Sequence, residues 1–378
     1  MNGGNIKLYP SNWLYNAGVV GFLWSVEEIE KFSVLNMLNS DGSVEIPNNL
    51  FPKLKVQERY FGDNKISSIV GKSNLYRNFL QPNQKDLFVR FVELLEKVGP
   101  DYCDFCGNGY SLDNNDESYL NGIDPASRPE TKFLYRIRKF SIVHNTLLGP
   151  SIGEFPNAFW GLNESSRMCH LCGGFIIIHH HLAFTPLPDG SEIFINAPSF
   201  KVMYYLNKYV QSLPKDGKKI KHLLGMSLIE FSTKLKAQLG LWTSMNIEVV
   251  IKYKYKKDAN KYEDKIDFFS LPAEIVSLLN DHEISSLIYQ IGEFKVLDIV
   301  LDGKFNKLIE DAYRLMKILM KDQRSESDKE FLNEYFKKNQ KDKERKDKER
   351  KEAVQNMLKL YALIEEKVGG NVLWKVRV

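Results

Sequence analysis

At 378 residues the chain exceeds one typical hydrophobic core, and its 43% hydrophobic and 26% charged content is that of an ordinary globular protein with two or three domains. The formal net charge is +4, and Lys337–Glu352 alone, with nine bases and five acids, accounts for all of it. The remainder is neutral, so bulk charge lends nothing to a nucleic-acid role, which has to rest on local patches.

The first element is read over Trp13–Trp24. Ser11 or Asn12 is placed to cap a helix, and Trp13, Ala17, Val20 and Trp24 recur at helical spacing. Gly18 and Gly21 weaken such a helix unless something packs closely on it. Asn12 and Asn16 lie four apart on one side. The plain reading is a buried helix with polar ends, and the sharper one is a close-contact surface for a partner backbone. The run is too short to span a bilayer, has no basic leader and meets Glu27, Glu28 and Glu30 at once, so no secretory signal is read and the cytoplasm is expected. Ser25–Glu28 reads as a capping box, Asp41-Gly42 as a turn and Val44–Ile46 as a strand. Gly71-Lys72-Ser73 suggests a phosphate loop but lacks the required glycine, because Ile66 stands in its place. Gln84–Val98 has helical periodicity, stopped by Gly99-Pro100.

All four cysteines fall in two matching stretches, Cys103-Asp104-Phe105-Cys106-Gly107 and Cys169-His170-Leu171-Cys172-Gly173. Two Cys-x-x-Cys pairs supply four thiolates, the set for a tetrahedral structural zinc ion, and each glycine permits the tight turn. The 62 residues between them form a zinc-tied subdomain within 100–175, and they carry an interleaved basic and aromatic segment with Arg136, Arg138 and Lys139. Phe175–Phe184 reads as a strand. On it only His179 and His181 share a face, so a second metal site there is the weaker alternative, and His170 is not expected to be a ligand.

Ser191–Ala197 reads as a further strand, turned back through Pro186–Gly190, and helices follow over Phe200–Leu213 and Ile220–Leu239. Asn246–Lys257 changes to period two. It sets Ile251, Tyr253 and Tyr255 on one face and Lys252, Lys254 and Lys256 on the other, with Lys257 next, and Tyr262–Phe269 pairs back as a hairpin. The lysine row is either a solvated, aggregation-resistant face or a line of phosphate contacts. Beyond Pro272 the chain is helical. Phe305–Met320 buries Leu308, Ala312, Leu315 and Leu319, and Ser325 or Ser327 caps a last long helix. The polar centre of that helix is stitched by Asp342–Lys346, Glu344–Lys348 and Asp347–Lys351, and apolar spacing returns at Val354, Leu358, Tyr361 and Leu363-Ile364.

The expected fold is therefore α+β. A mixed domain, 1–270, holds a four-cysteine zinc site, and a mainly helical region, 271–378, forms at least part of a helical bundle. No nucleophile, Walker, zincin or dinucleotide motif occurs, and four cysteines leave a zinc ion no open position, so no enzyme is expected.

Tyr9-Pro10-Ser11-Asn12-Trp13-Leu14-Tyr15-Asn16-Ala17-Gly18-Val19-Val20-Gly21-Phe22-Leu23, followed by the two Cys-x-x-Cys-Gly stretches, resembles the CXXC–CXXC family of CRISPR-associated proteins over roughly the first half of the chain. These are large subunits of type I-B Cascade surveillance complexes. The resemblance implies a non-catalytic subunit that contacts guide RNA and the protospacer-adjacent motif of double-stranded target DNA. It also implies assembly with the other subunits of the complex and help in recruiting the helicase–nuclease, with no membrane involved. The division of labour is that base pairing reads sequence while protein reads a flanking motif and backbone shape. The residues offered for nucleic-acid contact rest on chemistry alone: Asn12 and Asn16 for hydrogen bonds; Arg136, Arg138, Lys139, Lys252, Lys254, Lys256 and Lys257 for phosphates. A stand-alone zinc-stabilised protein-interaction module is the alternative, and a zinc-dependent enzyme a more distant one.

Overall fold

A computed structural model describes residues 5–30, 33–47, 101–103, 106–107, 109–110, 139–141, 165–167, 179–213, 219–234, 247–258, 261–292, 294–336 and 347–370. Helix and sheet are mixed, and the chain divides into two units, Met1–Asn207 with Val250–Phe268 and Lys208–Val249 with Phe269–Val378. Lys208–Val249, expected within the first domain, thus groups with the C-terminal helices.

A helix apolar on every side has to sit inside its domain. Helix α1, Trp13–Glu30, does so: Leu14, Tyr15, Ala17, Val19, Val20, Phe22, Leu23 and Val26 are all fully buried. Asn12 caps it, its Oδ1 accepting from the N–H groups of Leu14 and Tyr15 at 3.1 Å each. The helix runs straight through Ser25–Glu28, so the capping box expected there does not form, and Ser25 is a buried interior residue. Strand β1, Asn5–Leu8, precedes α1 and pairs antiparallel with β2, Val44–Pro47, setting Leu8 opposite Val44. The Asp41-Gly42 turn before β2 has Gly42 at φ +84°, and Asp41 accepts from the Ser43 N–H at 3.0 Å.

Two further short antiparallel pairs follow, β3 (Asp101–Tyr102) with β4 (Gly109–Tyr110) and β5 (Lys139–Ser141) with β6 (Ser165–Arg167). The next element is a helix, α2, His180–Ala183, entered through a 3₁₀ turn at His179. This corrects the strand expected over Phe175–Phe184 for its part from His179 onward; residues 175–178 lie outside the described residues. The reason lies on α1: a Cβ placed at Gly21 would come within 2.0 Å of the His179 carbonyl oxygen. Glycine there admits the backbone of the turn at His179.

Strands β7 (Thr185–Pro186), β8 (Glu192–Asn196), β9 (Glu248–Asp258) and β10 (Lys261–Ser270) make one sheet in the order β10-β9-β8-β7. The β7–β8 turn is closed by Asp189, which accepts from the Ser191 N–H at 2.9 Å, with Gly190 at φ +83°. Strand β7 begins at Thr185, opposite Ile193. Farther along β8, Ile195 finds its partner in Asn207 of helix α3, Phe200–Ser212. The Ile195 N–H donates to Asn207 Oδ1 and Asn207 Nδ2 donates to the Ile195 carbonyl, both at 2.7 Å. A buried side-chain amide thus completes the ladder beyond the first residue of β7.

The second unit contains helices α4 (Ile220–Lys234), α5 (Ala273–Asn280), α6 (His282–Ile291), α7 (Phe294–Leu301), α8 (Asn306–Leu319), α9 (Glu326–Tyr335) and α10 (Asp347–Gly370). Helix α8 buries Leu308, Ala312, Leu315 and Leu319 as its spacing predicts. Ser325 caps α9 in a reciprocal capping box with Asp328. The last helical stretch is divided: α9 ends at Tyr335, Phe336 leaves helical geometry, and α10 begins at Asp347. Asp347 meets Arg324 at 2.5 Å and Arg350 at 3.3 Å, instead of the expected Lys351. The Arg324 guanidinium holds the Asp347 carboxyl below its ordinary value. The buried stripe of α10 is Ala353, Val354, Met357, Leu360 and Ile364, which leaves Leu358 half-buried.

Candidate metal centre and basic hairpin

Cys103 and Cys106 are both buried, at 3% and 8% exposure. They sit at the tip of the β3–β4 hairpin, where Asp101 lies opposite Tyr110 and Tyr102 opposite Gly109. The reversal is closed by the Gly107 N–H, which donates to the Cys103 carbonyl at 2.9 Å, and Gly107 has φ +71°. A Cβ at 107 would meet nothing within 4 Å, so glycine is required for its backbone angle and not for space. One tight turn therefore holds two buried thiols three residues apart. That is half of a tetrahedral thiolate set, and its donor chemistry suits zinc. Cys169, Cys172 and His170 lie outside the described residues. Among the described residues no group of three or more His, Cys, Asp and Glu comes together.

His179 and His180 are core residues, at 0% and 1% exposure. The His179 ring stands edge-on to Phe22 with centroids 5.5 Å apart, and His180 stands edge-on to Phe184 at 6.3 Å. The alternation that would pair His179 with His181 requires a strand, and the chain is helical at His180–Ala183.

The amides offered for nucleic-acid contact are turned to internal use. Asn12 gives its oxygen to the α1 cap. Asn16 is 1% exposed, and its Oδ1 accepts from the Ser11 N–H at 2.8 Å. Its Nδ2 donates to the Ser11 carbonyl at 2.8 Å and to Asn196 Oδ1 at 2.9 Å. Asn16 is a core asparagine that ties α1 to the end of β8, which corrects its assignment as a surface contact. Lys139 lies in β5 opposite Arg167, and Arg136 and Arg138 fall outside the described residues.

The lysine row does form on a strand. Strand β9 has eleven residues and β10 ten, against five in β8, so the hairpin outruns its neighbour. Its lysines are not equivalent. Lys252 is largely covered and reaches Glu192 Oε2 of β8 at 3.0 Å, whereas Lys254 and Lys256 are exposed. Lys257 is in the strand as well. The tyrosine face is not a core face either. Tyr255 is 48% exposed under the Lys265 ammonium, 4.1 Å from the ring centroid, and Tyr253 is hydrogen-bonded to Asp267, which raises its hydroxyl above the ordinary value. Across residues 248–270 six lysines stand against five acids, so the hairpin as a whole is close to neutral.

Sequence reading marks Gly21 as a position for close packing without its partner, and misses Asn207 as a strand surrogate. A buried polar residue inside an apolar helix face is the signal for the second; the first has only the Gly-x-x-Gly spacing of Gly18 and Gly21. Among the described residues no helix is long and apolar enough to cross a membrane. Comparison with known proteins finds no matching family model, no matching curated relative and no matching solved structure.

Proposed function

We propose that this chain is a non-catalytic, zinc-stabilised large subunit of a type I-B CRISPR surveillance complex, working in the cytoplasm. In that reading it contacts guide RNA and the protospacer-adjacent motif of duplex DNA, joins the other subunits, and supports recruitment of the helicase–nuclease. The observation that carries the reading is the Cys103–Gly107 turn, with both thiols buried and the glycine left-handed, repeated in sequence at Cys169–Gly173 and preceded by the Tyr9–Leu23 stretch. Cys103, Cys106, Cys169 and Cys172 would hold the metal, which would tie the ends of residues 107–168 and perform no reaction.

Two measurements test this. Metal analysis of the purified chain is expected to give about one zinc per chain, lost in Cys103→Ser; zinc retained in that variant overturns the metal assignment. Co-expression with the repeat-derived guide RNA and backbone subunits is expected to yield a joint complex, and a chain that stays monomeric beside them overturns the assembly role. With Lys252 already paired, Lys254 and Lys256 carry the hairpin's phosphate contacts, so their joint change to Gln lowers the slope of log affinity against log salt by about 2. The near-balance of charge on the hairpin favours a second reading, a stand-alone protein-interaction module. In that case the salt slope is unchanged and no guide RNA co-purifies.

A further inference from the structure

The four-stranded sheet ends at β10, which among the described residues has a strand neighbour on one side only. At ten residues β10 is a long edge, and an edge presents backbone N–H and C=O groups that another strand can pair. Around its middle Lys265 and Asp267 are exposed, Ile266 is half-buried and Phe268 is 43% exposed. Lys265 lies over the Tyr255 ring, and Asp267 accepts from the Tyr253 hydroxyl. Both charges therefore stand on the tyrosine face of the hairpin, and strand alternation puts Ile266 and Phe268 on the lysine face.

The charge pattern of this edge complements itself. When two copies of one strand pair antiparallel about a two-fold axis, the residue on the axis meets its own mate, and its neighbours on either side meet each other. Lys265 on the axis would set lysine against lysine, and Asp267 would set acid against acid. Phe268 on the axis would leave both charges opposite uncharged residues. With Ile266 on the axis, the two isoleucines meet on one face, and Lys265 meets Asp267 of the other copy twice on the opposite face. A foreign strand without this lysine–acid alternation would meet the same charges uncompensated, which disfavours it. We propose that β10 pairs antiparallel with β10 of a second copy, centred on Ile266, to form a two-fold dimer. An interface confined to one strand edge falls in the small, transient class, so the dimer forms as concentration rises. The pairing rests on neither the metal turn nor a nucleic-acid role.

The test is sedimentation equilibrium of the purified full-length chain over about a hundredfold range of concentration, where the mean mass is expected to climb from monomer towards dimer. Lys265→Asp sets acids against acids at both ion pairs, and Asp267→Lys sets lysines against lysines. Each is expected to weaken the dimer about tenfold or more, and the double reversal to restore it, with melting temperatures near that of the unmodified chain. Cross-linking gives a second measurement on the unreversed strand. Ile266→Cys, next to its own mate, is expected to form an intermolecular disulfide on mild oxidation, at a rate that neither the unmodified chain nor Phe268→Cys shows. Four results would each overturn the proposal: a monomer mass throughout, single reversals that dimerise as the unmodified chain does, a folded double reversal that stays monomeric, or Ile266→Cys cross-linking no faster than Phe268→Cys.

Discussion

Two glycines on two central helices pack in different ways. Gly21 of α1, in the first unit, faces backbone: an added Cβ would lie 2.0 Å from the His179 carbonyl oxygen and 2.9 Å from its carbon. Gly225 of α4, in the helical unit, faces the tips of leucines: the nearest atoms would be Leu301 Cδ2 at 3.0 Å and Cδ1 at 3.3 Å, then Leu297 Cδ1 at 3.5 Å. A carbonyl held in a helical turn cannot step aside, whereas a leucine methyl can rotate. The first unit is therefore built on a main-chain fit that tolerates no side chain at one position. The second is a side-chain packing that can adjust.

The strongest way to break this contrast is Gly21→Ala. It is expected to cost about 3 kcal/mol or more and to strip hydrogen-exchange protection from α1 while the helical unit keeps its own. Near-unchanged protection would mean that α2 moves freely. Next comes Asn207→Ala, which orphans the Ile195 N–H and carbonyl and leaves the Met203 carbonyl without its side-chain donor. A loss of about 2 kcal/mol in urea unfolding is expected, with faster exchange at Ile195. Ser325→Ala removes the α9 cap at about 1 kcal/mol, measured the same way. Gly225→Ala should be the mildest of the four, within about 1 kcal/mol of neutral, because the gain in helix propensity offsets the push on Leu301. If it matches Gly21→Ala, the two units do not differ as described.

A pH scan sharpens the picture of the helical unit. The Lys321 ammonium, followed by the Ser325 N–H, lowers the Asp328 carboxyl from 3.8 to about 2. A depressed carboxyl stabilises the fold above its unfolded value and loses that contribution as pH falls through the folded one. The melting-temperature gap between the unmodified chain and Asp328→Asn is therefore expected to be constant above about pH 4 and to close towards pH 2. A gap independent of pH would remove the ion pair from the cap.

Where local chemistry decides the outcome, the sequence is legible. Apolar residues all round α1, the Asp41-Gly42 turn, the Pro186–Gly190 reversal, the period-two run of β9 and the Ser325 cap each name their own structure. Where a distant neighbour decides, it is not. The isoleucines before His179 predict a strand, yet the described residues from His179 to Ala183 follow the shape left by Gly21, 158 positions earlier. Asn16 has the look of a surface amide until Asn196 is brought beside it. Within the candidate site, the pattern of four cysteines and a glycine after each pair is readable. The burial of Cys103 and Cys106 is a product of folding that no local pattern carries. The partial neutralisation of the lysine row by Glu192 likewise depends on strand order, which period alone does not encode.

The division of the chain into two interleaved units bears on how it can be made. The first unit takes its outer strands from Val250–Phe268, and the second starts at Lys208, so neither is a continuous piece of polypeptide. During synthesis the first unit lacks two of its strands until the ribosome has passed residue 268, by which time α4 has already emerged. No single cut yields both units whole: an expression fragment ending at Asn207 lacks the hairpin, and one beginning at Phe269 lacks the helix on which α5, α6 and α7 pack. Fragments for biochemistry must instead be built by joining two segments through a designed linker.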